Sequence, residues 1–207
     1  MFVTKHLPRR QKIPRRHGVH GEPLRKQIIS VELRDLCASV VILFILADEK
    51  STMNPRIING LAEFQTLVGQ EIGVSDYLTI TQEQINQFAD ATLDHQWIHV
   101  DPERAKTESP FGGTVAHGYL EIALLPYLWG QIADVKKVKM LVNYGIEDFK
   151  FNQPVKVNDQ VRIRIFMDAL TNLRGIIRTR MKVTMEIFGN PKPAFVGYII
   201  FLYHFTD

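Results

Sequence analysis

The residues with the richest potential for chemistry lie between positions 90 and 118, in the stretch DATLDHQWIHVDPERAKTESPFGGTVAHG. Two of them, Asp94 and His99, are five residues apart, so on a continuous helix their side chains would point about 140° away from each other. They converge only where the chain turns between them. A carboxylate and an imidazole that share one water molecule can act as a general acid–base pair, because the imidazole proton moves near neutral pH.

Two other interpretations of these side chains stay open. Asp94 can cap a turn while His99 is a half-buried histidine with a satisfied ring. His95, His99 and His117 can also be metal ligands, because His-x3-His places two imidazoles on one face of a helix. Against this, Trp97-Ile98 is typical of an extended segment, and we expect no bound metal.

Glycines form a second candidate group. Gly112-Gly113 and Gly118 lie in the same stretch, and Gly118 directly precedes an apolar segment. The first amides of a helix lack partners inside it and carry a partial positive charge, so they can stabilise a negative oxygen on an ester or thioester. The same glycines can equally be turn residues. The sequence has no Walker loop and no GxSxG motif.

Helices should position this stretch. Thr81 and Gln84 match a capping box, with a hydroxyl at the N-cap and an amide three residues later. Apolar residues behind the box recur at helical spacing, which predicts a helix to about Leu93. Pro102 favours a second short helix, because proline suits the first helical position. The chain between them should be largely loop, where chemistry is commonly mounted.

The rest of the chain indicates an α+β fold. Segment 119–129 has Glu121 as its single charged residue, which predicts a helix buried on all sides, and Pro126 should bend or end it. Four later segments rich in Val, Ile, Phe, Tyr and Thr are joined by turn residues, and two of them alternate apolar and polar side chains. They predict an antiparallel meander packed on that helix. The four segments are 140–151, 160–170, 175–188 and 193–205.

Charge divides the chain unevenly. Residues 1–52 carry ten Lys/Arg against five Asp/Glu, and the remainder carries fifteen against seventeen. The body is therefore not basic, which argues against a nucleic-acid surface. The twelve uncharged residues Leu36–Ala47 are too few for a membrane span, which needs roughly 20. We interpret 1–52 as an extension without function, poorly ordered or upstream of a start at Met53, with a basic targeting arm as the alternative; 53–207 is one domain.

Composition narrows the class of protein further. The chain is 45% hydrophobic and 23% charged, as in globular domains, which excludes a wholly disordered chain. The single cysteine, Cys37, excludes an internal disulfide and CxxC metal sites. It favours a reducing compartment, and we expect a cytoplasmic location.

Residues 80–120, ITQEQINQFADATLDHQWIHVDPERAKTESPFGGTVAHGYL, closely resemble the signature region of MaoC-like dehydratases. The likeness is to the NodN-like branch, where DHQWIHVDPERA and SPFGG-x-x-AHG are typical. LLPYL (124–128), NYG (143–145) and NQPVKVNDQVRIR (152–164) are similar to that branch too, so the resemblance covers roughly 55–205. It implies a single hot-dog domain, in which a curved antiparallel sheet wraps around one long buried helix, and pairing as a homodimer.

The resemblance also implies an activity. Characterised relatives are (R)-specific enoyl-CoA hydratases, lyases of fatty-acid metabolism that add or remove water across the 2,3 double bond of an enoyl thioester. By position, Asp94 and His99 would match the catalytic pair, and the Gly118 amide would polarise the thioester carbonyl. His117 and Gly113 are the further candidates for substrate binding. The substrate would be a thioester of CoA or acyl carrier protein, and no metal or redox cofactor would be required.

Two positions depart from the family pattern. The family commonly has glycine before the catalytic aspartate, and Leu93 would be strained there if the position needs a positive φ. Many hydratases carry a serine in the helix after the HG pair, whereas residues 119–130 contain no Ser or Thr and leave Tyr119 or Tyr127 as polar support. A non-catalytic acyl-CoA-binding module and an acyl-CoA thioesterase therefore remain as alternatives.

Overall fold

The computed structural model describes residues 54–206. The predictions made for residues 1–52, including those for Leu36–Ala47 and Cys37, lie outside the described residues. The helices and strands follow one another as β1 (Arg56–Ile58), α1 (Leu61–Gln65), β2 (Glu71–Val74), β3 (Leu78–Thr79), α2 (Gln82–Thr92), α3 (Trp97–Val100), α4 (Pro102–Glu108), α5 (Gly118–Ala123), α6 (Leu125–Ile132), β4 (Ala133–Val135), β5 (Val138–Phe151), β6 (Gln160–Leu173), β7 (Ile176–Ile187) and β8 (Phe195–Phe205).

The predicted antiparallel sheet is confirmed. Its strands follow the order β2-β6-β7-β8-β5, and β3 also pairs with β6. Alternate side chains of β6 and β7 point into the core, as their period of two predicts. Those buried side chains are Val161, Ile163, Ile165 and Met167 on β6, and Ile177, Thr179, Met181, Val183, Met185 and Ile187 on β7.

The position of β5 differs from the prediction. Strands β6, β7 and β8 form a meander, but β5 pairs with β8 at the far edge of the sheet rather than with β6, so a four-strand meander in chain order is wrong. Residues 152–159 make the crossing. Eight residues reach about 26 Å when extended, which exceeds the ~14 Å of three strand spacings. Backbone hydrogen bonds fix the crossing segment, from Asn152 N to Ala194 O (2.7 Å) and from Ala116 N to Val155 O (2.8 Å).

The helices before the site begin and end where the sequence predicts. The Thr81 hydroxyl accepts from the Gln84 amide (3.2 Å), and the Gln84 side chain accepts from the Thr81 amide (3.1 Å), which is the predicted capping box. Helix α2 ends at Thr92 and α4 begins at Pro102. The expected extended segment at Trp97-Ile98 is wrong, because these residues form the one-turn helix α3.

The central apolar helix is interrupted. Helix α5 ends at Ala123 and α6 begins at Leu125. Pro126 explains the break, because it has no amide hydrogen to donate to Ile122 and its ring clashes with that carbonyl. The prediction that this helix is buried on all sides is also wrong for one copy of the chain, since Tyr119 is 73% and Tyr127 57% exposed. The sheet therefore packs on two short helices in place of one long one.

Helix α6 is fixed to the sheet through Trp129. Its indole Nε1 donates a hydrogen bond to the Tyr203 hydroxyl (3.0 Å), and both side chains are buried. Unlike Trp129, Trp97 is only half-buried, and the Arg104 guanidinium lies 4.3 Å from its ring centroid. Across residues 54–206, no helix is long and apolar enough to cross a bilayer.

Candidate active site

The chain reverses between Asp94 and His99. Leu93 follows the last residue of α2 with φ 62° and ψ 20°, in the left-handed region, and α3 starts four residues later. The reversal brings Asp94, His99 and His117 together: one carboxylate oxygen and one nitrogen of each ring all lie within 4.8 Å of one another. One water molecule can bridge such atoms, since each hydrogen bond spans about 2.8 Å.

His99 is buried and its tautomer is fixed by its surroundings. Its Nδ1 lies 2.7 Å from the carbonyl oxygen of Val115. A carbonyl only accepts, so Nδ1 carries the hydrogen and Nε2 is left to exchange a proton. Burial lowers the pKa of His99 below its usual 6.5, and the nearby His117 lowers it further, whereas the Val115 carbonyl and Asp94 oppose the shift. The ring is therefore neutral at pH 7.

His117 supports the other two residues. Its Nε2 lies 2.9 Å from the backbone oxygen of Asp94, to which it donates. Its ring stacks on that of His99, with centroids 3.8 Å apart and planes at 22°, and Phe88 packs against it. His117 thus holds the Asp94 backbone and the His99 ring in one arrangement. Its buried Nδ1 has no hydrogen-bond partner within residues 54–206.

Gln82 links three parts of the site and was missed by sequence reasoning. Its side-chain Nε2 donates to the His99 carbonyl (2.7 Å), and its Oε1 accepts from the hydroxyl of buried Thr114 (2.5 Å). The first residue of α2 therefore fixes the turn that carries His99. Spacing gives no signal for this bridge, because its members are 17 and 32 positions apart.

A cleft of about 420 Å³ is lined in part by Ala116 and Gly118, the neighbours of His117 in the chain. Gly118 is in its wall, and a Cβ at this position would lie only 2.7 Å from the Phe151 ring. Asp94 and His99 are not in the wall, although the Asp94 side chain is 56% exposed and open to solvent. The lining residues are Phe111, Ala116, Gly118, Tyr119, Glu121, Phe151, Asn152, Gln153 and Pro154.

Two predicted site residues lie elsewhere. Gly113 lies in the turn before Thr114 and does not line the cleft. His95 is exposed and pairs with Asp90, with 2.9 Å between Nε2 and Oδ1. The metal-ligand set of His95, His99 and His117 is therefore wrong, because Asp94 takes the place of His95 beside the other two rings. Sequence reasoning also missed Glu121, whose signal was its position as the lone charge in 119–129.

The strain expected at Leu93 is present, and it predicts a stabilising substitution. A left-handed conformation costs a non-glycine residue about 1–2 kcal/mol, part of which glycine returns through its more flexible unfolded state. Leu93 is 81% exposed, so its side chain contributes little packing. We expect Leu93→Gly to raise the free energy of unfolding by about 0.5–1 kcal/mol in urea titrations. Thr92→Gly, one residue earlier and in helical conformation, should lower the free energy of unfolding. Equal effects of the two substitutions would contradict the strain assigned to Leu93.

Known proteins resemble this chain over its described part. The family model of the MaoC like domain matches residues 63–186. The chain is 44% identical over 149 residues to 3-hydroxyacyl-thioester dehydratase Z of Mycobacterium tuberculosis, covering 72% of this chain and 98% of that protein. It is 42% identical over 148 residues to nodulation protein N of Rhizobium meliloti, covering 70% and 92%.

Solved structures agree on the fold. R-hydratase PhaJ1 from Pseudomonas aeruginosa, in the unliganded form, superposes with a TM-score of 0.53 at 20% identity, over 67% of this chain and 83% of that one. That likeness supports the hot-dog fold alone. The family-model match and the two relatives carry the assignment: the chain belongs to the MaoC-like dehydratase family, as the resemblance of residues 80–120 predicted.

Proposed function

We propose that this chain is a hydratase/dehydratase that interconverts an enoyl thioester and an (R)-3-hydroxyacyl thioester. The observation that carries the proposal is the convergence of ligand atoms of Asp94 and His99 within 4.8 Å of each other and of His117, whose neighbour in the chain, Gly118, lines a cleft. The family supports it, because the relative from Mycobacterium tuberculosis is named a 3-hydroxyacyl-thioester dehydratase. The carrier is CoA or acyl carrier protein.

The Gly118 amide binds the thioester carbonyl in this proposal. It is the first amide of α5 and has no acceptor inside its helix. Negative charge builds on the carbonyl oxygen as water adds to the double bond. The apolar rings of Phe111 and Phe151 line the cleft, and a bound acyl chain that displaces water from it would strengthen a hydrogen bond to the charged oxygen.

Asp94 and His99 bind and deprotonate the water molecule in this proposal. The neutral Nε2 of His99 accepts one proton as the water oxygen bonds to C3, and the electron pair of the double bond moves onto the thioester oxygen. Asp94 accepts a hydrogen bond from the other hydrogen of the water and stabilises the imidazolium. The proton then returns to C2 as the enolate collapses. Water is added without oxidation or reduction, so the proposal requires no redox cofactor, and it assigns the proton transfers to Asp94 and His99 without a metal.

An assay of the purified chain tests the proposal. A hydratase removes the conjugated double bond of an enoyl-CoA, seen as a loss of ultraviolet absorbance, and releases no CoA thiol. Thiol release from a saturated acyl-CoA would identify a thioesterase instead. Binding without turnover of any enoyl or 3-hydroxyacyl thioester, across short, medium and long chains, would identify a non-catalytic acyl-binding module and contradict the proposal.

The pKa of His99 predicts the acid limb of the pH profile. Protonated His99 cannot accept a proton from water, so kcat/KM should fall as the pH drops. Burial disfavours the imidazolium and moves this fall below pH 6.5, the usual value. His95→Gln changes an exposed histidine outside the site and should not shift the pH at which kcat/KM falls. A limb centred above pH 6.5 would exclude His99 as the base.

Gly118→Ala should impair the reaction through its contact with Phe151. The added Cβ would lie 2.7 Å from that ring, so the ring or the amide has to shift. We expect kcat/KM to fall by up to about 10²–10³-fold, the range for loss of one oxyanion donor. Gly130→Ala on α6 is the matched control, because its Cβ would meet nothing within 4 Å. Equal activity of the two variants would remove Gly118 from the mechanism.

We also propose that two copies of the chain associate through β5. This 14-residue strand pairs with β8 on one side, and within residues 54–206 its other edge has no partner strand. Apolar side chains beside that edge are exposed, namely Met140, Leu141, Tyr144 and Ile146. Pairing of β5 with itself across a two-fold axis would satisfy both the backbone groups and these side chains. A monomeric mass by light scattering would contradict the pairing.

A further inference from the structure

Among residues 54–206, Glu121 is the one acidic group in the wall of the cleft. It lies one helical turn after Gly118 on α5, so the two residues share a face of the helix. The residue is 3% exposed, and apolar residues dominate its surroundings in the wall, among them Phe111, Ala116 and Phe151. A carboxyl group is an unusual choice there, since leucine or methionine would fill similar space without a loss of hydration.

The carboxyl group has an unused hydrogen-bonding atom. Its buried Oε2 has no partner within residues 54–206, and Glu121 takes part in none of the ion pairs of that region. Burial without a counter-ion raises the pKa of Glu121 to about 8. At pH 7 the group is therefore mainly a neutral acid, which can donate through its hydroxyl and accept through its carbonyl oxygen.

A buried polar group without a partner is costly to the folded protein, unless a ligand supplies the missing hydrogen bond. Glu121 and Gly118 line the same open cleft, and the proposed function places the thioester carbonyl at Gly118. A substrate held at Gly118 would therefore lie within one helical turn of the carboxyl. An anionic group is disfavoured, because no cationic side chain lines the cleft within the described chain.

We propose that Glu121 is a specificity-determining residue, which donates a hydrogen bond to an uncharged oxygen of the thioester substrate. The inference rests on the proposed function for the identity of the ligand. The oxygen has two sources with the same chemistry: a hydroxyl or carbonyl along the acyl chain, or an amide carbonyl of the pantetheine arm. A site that hydrogen-bonds such an oxygen discriminates strongly between substrates, because a substrate without the oxygen leaves the acid unpaired.

Three variants test the inference. Glu121→Leu removes the hydrogen bond, Glu121→Gln keeps a donor and an acceptor of similar shape, and Glu103→Leu is the control at an exposed glutamate. Each is compared with the wild type on three thioesters of one chain length: a plain enoyl-CoA, the same acyl group on ethanethiol, which has no pantetheine amide, and an enoyl-CoA with a hydroxyl further along the chain. Both kcat/KM and the dissociation constant of the saturated analogue are measured.

The expected result is a change in preference. Glu121→Leu should lower kcat/KM and binding at least tenfold for the substrates that carry the oxygen, and Glu121→Gln should restore most of the loss. A loss of kcat/KM and binding that is confined to the hydroxylated substrate assigns the bound oxygen to the acyl chain. A loss on both CoA thioesters, absent with the ethanethiol ester, assigns the bound oxygen to the pantetheine arm.

The inference is overturned if Glu121→Leu leaves the ratios among the three thioesters within twofold of the wild-type ratios. It is also overturned if Glu103→Leu has the same effect as Glu121→Leu, or if no thioester binds. Failure of the proposed function looks different. In that case the wild type binds the analogues without turnover, and the ratios of dissociation constants still decide the role of Glu121.

Discussion

Asp94→Asn should lower kcat/KM for an enoyl thioester by about 10²–10⁴-fold, the range for loss of one acid–base group, while the fold is kept. The contact that holds this residue in place runs from His117 to the backbone oxygen of Asp94, so the substitution leaves it intact. An amide has nearly the shape of a carboxylate, but it has no charge to stabilise the imidazolium of His99. Kinetics on purified variants with matching circular dichroism spectra measure the effect.

Asp90→Asn is the matched control for this prediction. Asp90 lies on α2, just before the turn that carries Asp94, is exposed, and pairs with His95 away from the site. Its substitution removes one negative charge four residues from Asp94, so it accounts for any general effect of charge. We expect its kcat/KM within twofold of the wild type. If the Asp94 and Asp90 variants lose the same activity, or if neither loses any, the acid–base pair is wrong.

Glu121 should make the protein less stable as the pH rises from 5 to 8. Its pKa is about 8 in the folded chain and near the ordinary 4.5 after unfolding, so the folded state holds the extra proton between these values. The free energy of unfolding then falls with pH by about 1 kcal/mol per pH unit across this window. Glu121→Gln has no proton to lose and should remove the decline. Urea titrations at several pH values measure the difference.

The comparison of variants isolates Glu121 from other titrating groups. Buried His99 acts in the opposite direction, since its lowered pKa means that the unfolded chain holds more protons just below pH 6.5. Both proteins carry that contribution, so the difference between their curves does not contain it. Glu103→Gln should follow the wild-type curve, and protein concentration is held constant because association adds stability. Parallel curves for wild type and Glu121→Gln would disprove the buried neutral acid.

Local chemistry made much of this fold predictable from sequence. The capping box at Thr81 depends on two side chains three residues apart, and the alternation from Val161 to Met167 depends on the two-residue period of a strand. Each pattern is complete within a short segment, and the structure confirms both. The turn between Asp94 and His99 was predictable for the same reason, because the helix before it has to end.

Features that depend on distant residues were not predictable in this way. An alternating strand shows which side chains are buried but not which strand lies beside it, so the position of β5 in the sheet could not be predicted. The role of Gln82 depends on contacts with His99 and Thr114, which no local pattern encodes. Glu121 was visible as a lone charge in an apolar segment, but its place in the cleft wall required Phe151 from a strand about thirty residues away.

The crossing of residues 152–159 has a consequence for synthesis of the protein. Strand β5 leaves the ribosome well before β8, yet β8 supplies its neighbour in the sheet. Until β8 emerges, β5 has no native partner, and its apolar side chains are available to chaperones or to other nascent chains. Pairings between such distant segments also slow folding, because a long loop must close first. Stalling translation before Phe195 should therefore yield chains prone to aggregate, whereas stalling after Phe205 has emerged should not.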